Sequence, residues 1–308
     1  MTKGLIQPEG SWVALITPFG PKGEVDFDGF KALVDFQVAN GTSLLLIMGS
    51  TGEPMALTLE ERKAIIREMA AYCEGKIPVF FGVTLGSTEL TIELARYAQD
   101  HGAAGVVVVP PPYINPPQEA VYEYLKAVCR SVEISVALYN NPSRVVVNID
   151  PATIVRLADE CPNLVADKEA QPNVGQLAYV MEGTKGRLRL LCCDSPAYSL
   201  ILPTLALGGH GTANVTGNVV PREMAELSKP WRSWEDVQRC RKLYFELLPI
   251  MEAAYSAINP VAIKAMVRLM GLPAGHCRPP LPDVPPDLLR AMEELIDRFD
   301  LKGRYGLR

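Results

Sequence analysis

Histidine is scarce in this chain: three in 308 residues (His101, His210, His276), far apart and never at a metal-ligand spacing. That argues against a histidine-built zinc or iron centre, and no metal is expected. Cysteine occurs seven times, an odd number with no CxxC pair, which excludes a disulfide framework and suits a reduced, cytoplasmic protein. Lysine and arginine are scattered and the formal net charge is −5, so there is no basic footprint for nucleic acid or an anionic membrane. No stretch of membrane-spanning length is free of charges. Residues 1–19 lack the charged head, apolar run and small-residue cleavage site of a secretory signal. The expected partners are small molecules.

What is present is apolar and periodic. Hydrophobic residues make up 48% of the chain, enough to bury a large core. Short apolar runs at 13–17, 44–48, 77–83, 105–109, 134–139, 163–167, 188–192 and 210–215 alternate with longer stretches of helical period such as 59–72 and 90–100. Thr58 stands where a helix N-cap belongs, and Glu61 three residues on completes a capping box. Buried parallel strands read as continuous apolar runs, and eight of them separated by helices over roughly 220 residues predict an α/β fold, a (β/α)8 TIM barrel. A doubly wound open sheet would want a glycine fingerprint after the first strand, and Ile16-Thr17-Pro18-Phe19-Gly20 is not one. Beyond Pro221 helical period takes over, at 234–257, 261–270 and 288–299, with Pro279, Pro280, Pro282, Pro285 and Pro286 forming a stiff connection before the last helix. The division expected is a barrel catalytic domain over 1–230 and a C-terminal helical extension over 231–308.

In such a barrel the working residues sit where strands end at the C-terminal face. The sixth run leads into Asp167-Lys168-Glu169, which places a lysine at an apolar mouth. An ordinary surface lysine would look the same, but a buried one would have its pKa lowered and could attack a ketone as the free amine. The fifth ends Tyr139-Asn140-Asn141-Pro142-Ser143-Arg144, where a tyrosine could relay protons and an arginine fork could grip a carboxylate. The second is followed by Gly49-Ser50-Thr51-Gly52-Glu53, a turn whose hydroxyls and N–H groups could receive a carboxylate or could be no more than a tight turn. The fourth leads into a proline-rich loop that holds Tyr113. The eighth carries glycines around His210, which would let the backbone approach a ligand near Ala213.

In their order and spacing these segments, with the opening Gly10-Ser11-Trp12-Val13-Ala14-Leu15-Ile16-Thr17-Pro18-Phe19, Asn259-Pro260, Lys264 and Arg278-Pro279-Pro280-Leu281, resemble the dihydrodipicolinate synthase / N-acetylneuraminate lyase family of Schiff-base class I aldolases. The likeness runs nearly end to end. It implies that Lys168 forms an imine with pyruvate and that Tyr139 relays protons. It also implies that Ser50, Thr51 and Gly49 receive the pyruvate carboxylate, that Tyr113 reaches into a neighbouring subunit's site, and that Ala213 lies at the pocket wall. Arg144 matches the residue that grips the second substrate's carboxylate in the dihydrodipicolinate synthase branch. The reaction implied joins pyruvate to L-aspartate 4-semialdehyde in lysine biosynthesis, without metal or organic cofactor, in a homodimer or homotetramer. Two other readings stay open: an aldolase, dehydratase or hydratase-aldolase for another 2-keto acid such as a 2-keto-3-deoxy sugar acid, and a non-catalytic paralogue that only binds ligand.

The chain departs from the family pattern at several places. Val145-Val146 replaces the usual Thr-Gly, and Cys192-Cys193-Asp194-Ser195 the usual Ser-Gly-Asp-Asp. Ala213 stands for a bulky aliphatic residue. Asp167 takes an apolar position, pointing away from the pocket by strand alternation but expected to raise the pKa of Lys168. At the positions of the family's lysine feedback site stand Leu59, Arg62, Gly86, Leu90 and Pro112, so no feedback inhibition by lysine is expected.

Overall fold

The computed structural model describes residues 4–307 of the chain. Eight parallel strands close into a barrel in sequence order: β1 (Gly10–Ala14), β2 (Leu44–Ile47), β3 (Val79–Gly82), β4 (Gly105–Val108), β5 (Ser135–Asn140), β6 (Leu164–Glu169), β7 (Arg189–Cys192) and β8 (Gly211–Asn214). Helices α1 (Phe27–Ala39), α2 (Leu59–Cys73), α3 (Thr88–Asp100), α4 (Gln118–Ser131), the short α5 (Pro142–Val145), α6 (Pro151–Glu160), α7 (Val174–Thr184), α8 (Ile201–Ala206) and α9 (Pro221–Leu227) run between and after the strands. The C-terminal extension adds α10 (Trp234–Ala254), α11 (Val261–Leu269), α12 (Pro286–Arg298) and α13 (Leu301–Arg304). The barrel and its helical extension are as the alternation predicts.

Local chemistry starts the helices where the sequence says. Thr58 and Glu61 exchange backbone and side-chain hydrogen bonds in the expected capping box. Asp26, Ser87, Asn173 and Ser233 each accept a backbone N–H of the first turn. The barrel closes at a glycine contact: Gly10 of β1 pairs with Gly211 of β8, and a Cβ on Gly211, at φ +140, would lie 2.1 Å from the Gly10 carbonyl oxygen. The glycine expected to admit a ligand instead admits the neighbouring strand.

The strand boundaries differ from the apolar runs in two informative places. The first run, 13–17, overshoots β1 because Leu15, Ile16 and Thr17 are buried outside the ladder. Leu15 N donates to the Leu46 carbonyl, Ile16 N to Asn218 Oδ1, and Thr17 Oγ1 to the Gly52 carbonyl. Apolarity reports burial, and burial continues past the last ladder bond. The sixth run, 163–167, undershoots, because β6 keeps going through Lys168 and Glu169, both buried.

Candidate active site

A cavity of about 480 Å³ opens at the C-terminal mouth of the barrel. A second, of about 580 Å³, opens at the opposite end beside Leu5, Ile77 and Ile134, away from the strand ends where barrel chemistry is built. Of the residues singled out from sequence, Ser50, Thr51, Tyr139, Arg144, Lys168 and Ala213 line the mouth cavity. Gly49 does not. It caps the short turn that carries Ser50 and Thr51, and a side chain there would run into Leu46. Tyr113 does not line it either: it is 92% exposed, in a loop where it adopts φ +78.

Lys168 and Tyr139 are register partners on β6 and β5, and Lys168 Nζ lies 4.4 Å from the centre of the Tyr139 ring. Lys168 is 3% exposed and forms no hydrogen bond or ion pair among the described residues. Burial lowers its pKa below the ordinary lysine value, opposed in part by Cys193 and Asp194. Burial also pushes the Tyr139 phenol well up, so it stays protonated. Its oxygen accepts a 2.6 Å hydrogen bond from Asn141 Nδ2 and meets Cys193 Sγ at 3.8 Å. The Cys193 thiol is raised to about 11 by desolvation, so at neutral pH it is a thiol. The pair therefore offers a desolvated amine next to a proton-bearing phenol.

Asp167 does not act on Lys168 as expected. Its side chain is fully buried with both oxygens unpartnered, and desolvation together with Glu169 raises its pKa well above the carboxylate range. Burial thus favours the neutral form of Asp167, and the groups that hold a proton on the lysine are Cys193 and Asp194 instead. Glu169, on the same face of β6, is instead wrapped by donors: Gln171 N at 2.6 Å, Gln176 Nε2 at 2.9 Å and Asn140 Nδ2 at 3.1 Å. Burial still lifts it to about 7.

Sequence reasoning missed the far wall. Residues 255–259, between α10 and α11, line the cavity together with Asn141, Cys193 and Tyr198. Asn259 Nδ2 donates to Thr51 Oγ1 at 3.1 Å, which leaves the threonine's own proton free for a ligand. Tyr255 donates to Asp194 Oδ1 at 2.5 Å. The Asn259-Pro260 dipeptide marked a break between helices, but nothing local said that the break lies over the barrel mouth. Arg144 is exposed at the rim on α5. The residue after α5's last turn, Val146, holds φ +72 and ψ −38, a conformation suited to glycine.

Known proteins resemble this chain along nearly its whole length. The profile of the Dihydrodipicolinate synthetase family matches residues 7–298. A protein of Methanocaldococcus jannaschii named 4-hydroxy-tetrahydrodipicolinate synthase is 35% identical over 95% of this chain and 99% of its own length. Its namesake from Aquifex aeolicus is 35% identical over 95% and 98%. Among solved structures, the dihydrodipicolinate synthase of Aquifex aeolicus superposes with a TM-score of 0.91 at 35% identity over 96% of this chain and 99% of its own. That of Thermotoga maritima does so with 0.90 at 31% identity over 96% and 100%.

Proposed function

Since the chain belongs to the dihydrodipicolinate synthetase family, whose members are class I lyases, we propose that it is a 4-hydroxy-tetrahydrodipicolinate synthase, which joins pyruvate to L-aspartate 4-semialdehyde. The observation that carries this reading is Lys168, buried in the lining of the mouth cavity beside Tyr139 and without an ion-pair partner among the described residues. At an ordinary pKa near 10.4, only on the order of one amine in a few thousand is neutral at pH 7. Desolvation enlarges that fraction, which is what attack on a ketone requires.

In this reading the Lys168 nitrogen adds to the keto carbon of pyruvate. The carbonyl oxygen leaves as water with one proton from the nitrogen and one delivered through Tyr139, and the nitrogen keeps its other proton as an iminium. The pyruvate methyl group then loses a proton to give an enamine, which attacks the aldehyde carbon. The iminium is the electron sink, so neither metal nor organic cofactor is needed. Ser50 and Thr51 receive the pyruvate carboxylate, and Arg144 at the rim grips the carboxylate of the semialdehyde.

The same reading places the protein in the cytoplasm as a homodimer or homotetramer. Among the described residues, no helix is long and apolar enough to cross a membrane. Tyr113 at 92% and Ile114 at 66% exposure present apolar surface that a neighbouring copy would cover. At the feedback positions Arg62 is consumed by the Thr84 and Pro54 carbonyls, so L-lysine should leave the rate unchanged. The deciding experiment is borohydride reduction with pyruvate followed by peptide mass spectrometry, then a coupled assay of the semialdehyde against a panel of 2-keto-3-deoxy acids. An adduct on Lys168 and turnover of the semialdehyde are expected. No adduct on folded protein removes pyruvate as donor, and turnover only of a keto-deoxy acid moves the protein to another branch of the family.

A further inference from the structure

The imine chemistry proposed for Lys168 creates a positive charge in a desolvated site, and a buried cation needs an anion or strong dipoles close by. The groups around Lys168 supply little else. Tyr139 from β5 and Cys193 from the exit of β7 are both held in their neutral forms by burial. Tyr198, Tyr255 and Arg144 stand on the cavity wall, and Arg144 carries the same sign as the iminium. Asp167 and Glu169 flank Lys168 in β6, but alternation turns them to the other side of the strand, and burial favours the neutral form of Asp167.

Asp194 is different. It is 1% exposed and lies one residue beyond Cys193, whose N–H is bonded to the Glu169 carbonyl at 2.9 Å. Its carboxylate accepts three hydrogen bonds: from Val215 N at 2.9 Å and Thr216 N at 2.8 Å, where the chain leaves β8, and from the Tyr255 hydroxyl at 2.5 Å, at the end of α10. Its oxygens thus point at fixed donors from two other elements; its chain neighbour Cys193 and two of those donor residues, Val215 and Tyr255, line the same cavity as Lys168, and Asp194 opposes the burial that lowers the lysine's pKa. A carboxylate held this way cannot collapse onto the lysine to form a tight ion pair, which would keep the amine protonated and idle. It stabilises positive charge at a distance instead.

We propose that Asp194 is the fixed counter-ion of the iminium formed on Lys168, and that the Tyr255 hydroxyl is the latch by which the C-terminal extension holds it in place. Both are positioning residues in the reaction, and the inference rests on the imine reading of Lys168. It gives the extension an electrostatic task at the site besides closing one wall. The two residues act with opposite signs on the free amine. Removing the charge lets desolvation lower the lysine's pKa further, whereas removing the latch leaves the charge with one donor fewer and a stronger field on the amine.

The test measures two things with pyruvate alone: the pH dependence of cyanoborohydride trapping on Lys168, and exchange of the pyruvate methyl protons with D2O, which requires the iminium to form and lose a proton. In Asp194→Asn the acid limb of trapping should move down by about one pH unit, while plateau methyl exchange falls roughly tenfold to a hundredfold. In Tyr255→Phe the limb should move up. Limbs that stay where the wild type has them, or an Asp194→Asn protein that exchanges at the wild-type rate, overturn the proposal. Should Asp194→Asn not fold, the direction of the Tyr255→Phe limb decides by itself. A wild-type protein that traps no pyruvate sinks the imine reading instead, and does so before any variant is compared.

Discussion

Among the described residues two lysines are almost fully buried, and they live in opposite ways. Lys168, at the barrel mouth, is 3% exposed and has no ion-pair partner among the described residues. Lys264, in α11, is 1% exposed; its ammonium donates to Glu53 Oε1 at 2.7 Å and to the His276 carbonyl at 3.0 Å. The other Glu53 oxygen accepts Arg278 N at 2.9 Å. Burial pulls both amines below the ordinary lysine value, but at Lys264 a carboxylate in contact opposes that pull and keeps the charge. The same side chain thus suits the nucleophile's part proposed above where the pairing is withheld, and is a clasp between the second loop and the extension where it is supplied. Chemical type alone would not have told them apart; the contacts do.

The sharpest way to break this contrast is to replace each lysine by methionine. Lys168→Met should abolish turnover, by roughly 10⁴-fold or more, and leave the melting temperature unchanged or higher, since an unpaired buried amine is lost. Lys264→Met leaves the Glu53 carboxylate buried without its partner, at a cost of about 3–5 kcal/mol. Calorimetry should show a drop of roughly 10 °C, while trapping on Lys168 persists at temperatures where the variant is folded. Equal thermal effects of the two substitutions would erase the distinction.

A smaller effect is expected at the carboxyls behind the nucleophile. Asp167→Val removes a buried group with no partner for either oxygen and should stabilise by about 1–3 kcal/mol. The pH dependence follows from the raised pKa values. A carboxyl whose folded value lies above its unfolded one gives stability that is fully present at low pH and is lost as pH rises through the folded value. For Glu169 that window runs from 4.5 to about 7. Melting scans of the wild type should therefore fall across it, and those of Asp167→Val should fall less, because the raised Asp167 carboxyl no longer adds its own loss as pH rises. The smallest effect belongs to the rim. Val146 holds a glycine-like backbone with a β-branched side chain, so Val146→Gly should gain about 1 kcal/mol from relieved strain, and chemical denaturation should show a higher midpoint. A loss there would mean that the turn is not strained.

Much of this was legible in the sequence because burial and period are local properties. The eight strands announced themselves as apolar runs, the α2 capping box as Thr58 and Glu61, and the cavity-lining Lys168 as a lysine near a strand end. What stayed hidden depends on the closing of distant segments. Whether Lys168 is exposed or desolvated is decided by what covers the mouth, and residues 255–259, which cover part of it, carry only the tail of a helical period ahead of Pro260. Asp194 looked like one member of an altered motif. Its meaning comes from Val215, Thr216 and Tyr255, up to 61 positions away. Asp167 was misread for the same reason: its charge state is set by burial and by Glu169, not by its proximity to the lysine along the chain.

The capping box of α2 has a consequence beyond starting a helix. Glu61, which closes the box on Thr58 N, also receives the Arg278 guanidinium, Nη1 at 2.8 Å, and is held at about 2 chiefly by that contact. Arg278 in turn donates to the carbonyls of Gly23 and Ala56. The first turn of α2 cannot fray without releasing the segment around Arg278, and that segment cannot lift without uncapping α2. In hydrogen exchange the two should open as one cooperative unit, and the boundary drawn at residue 230 from the change of periodicity would then mark no seam along which the molecule comes apart.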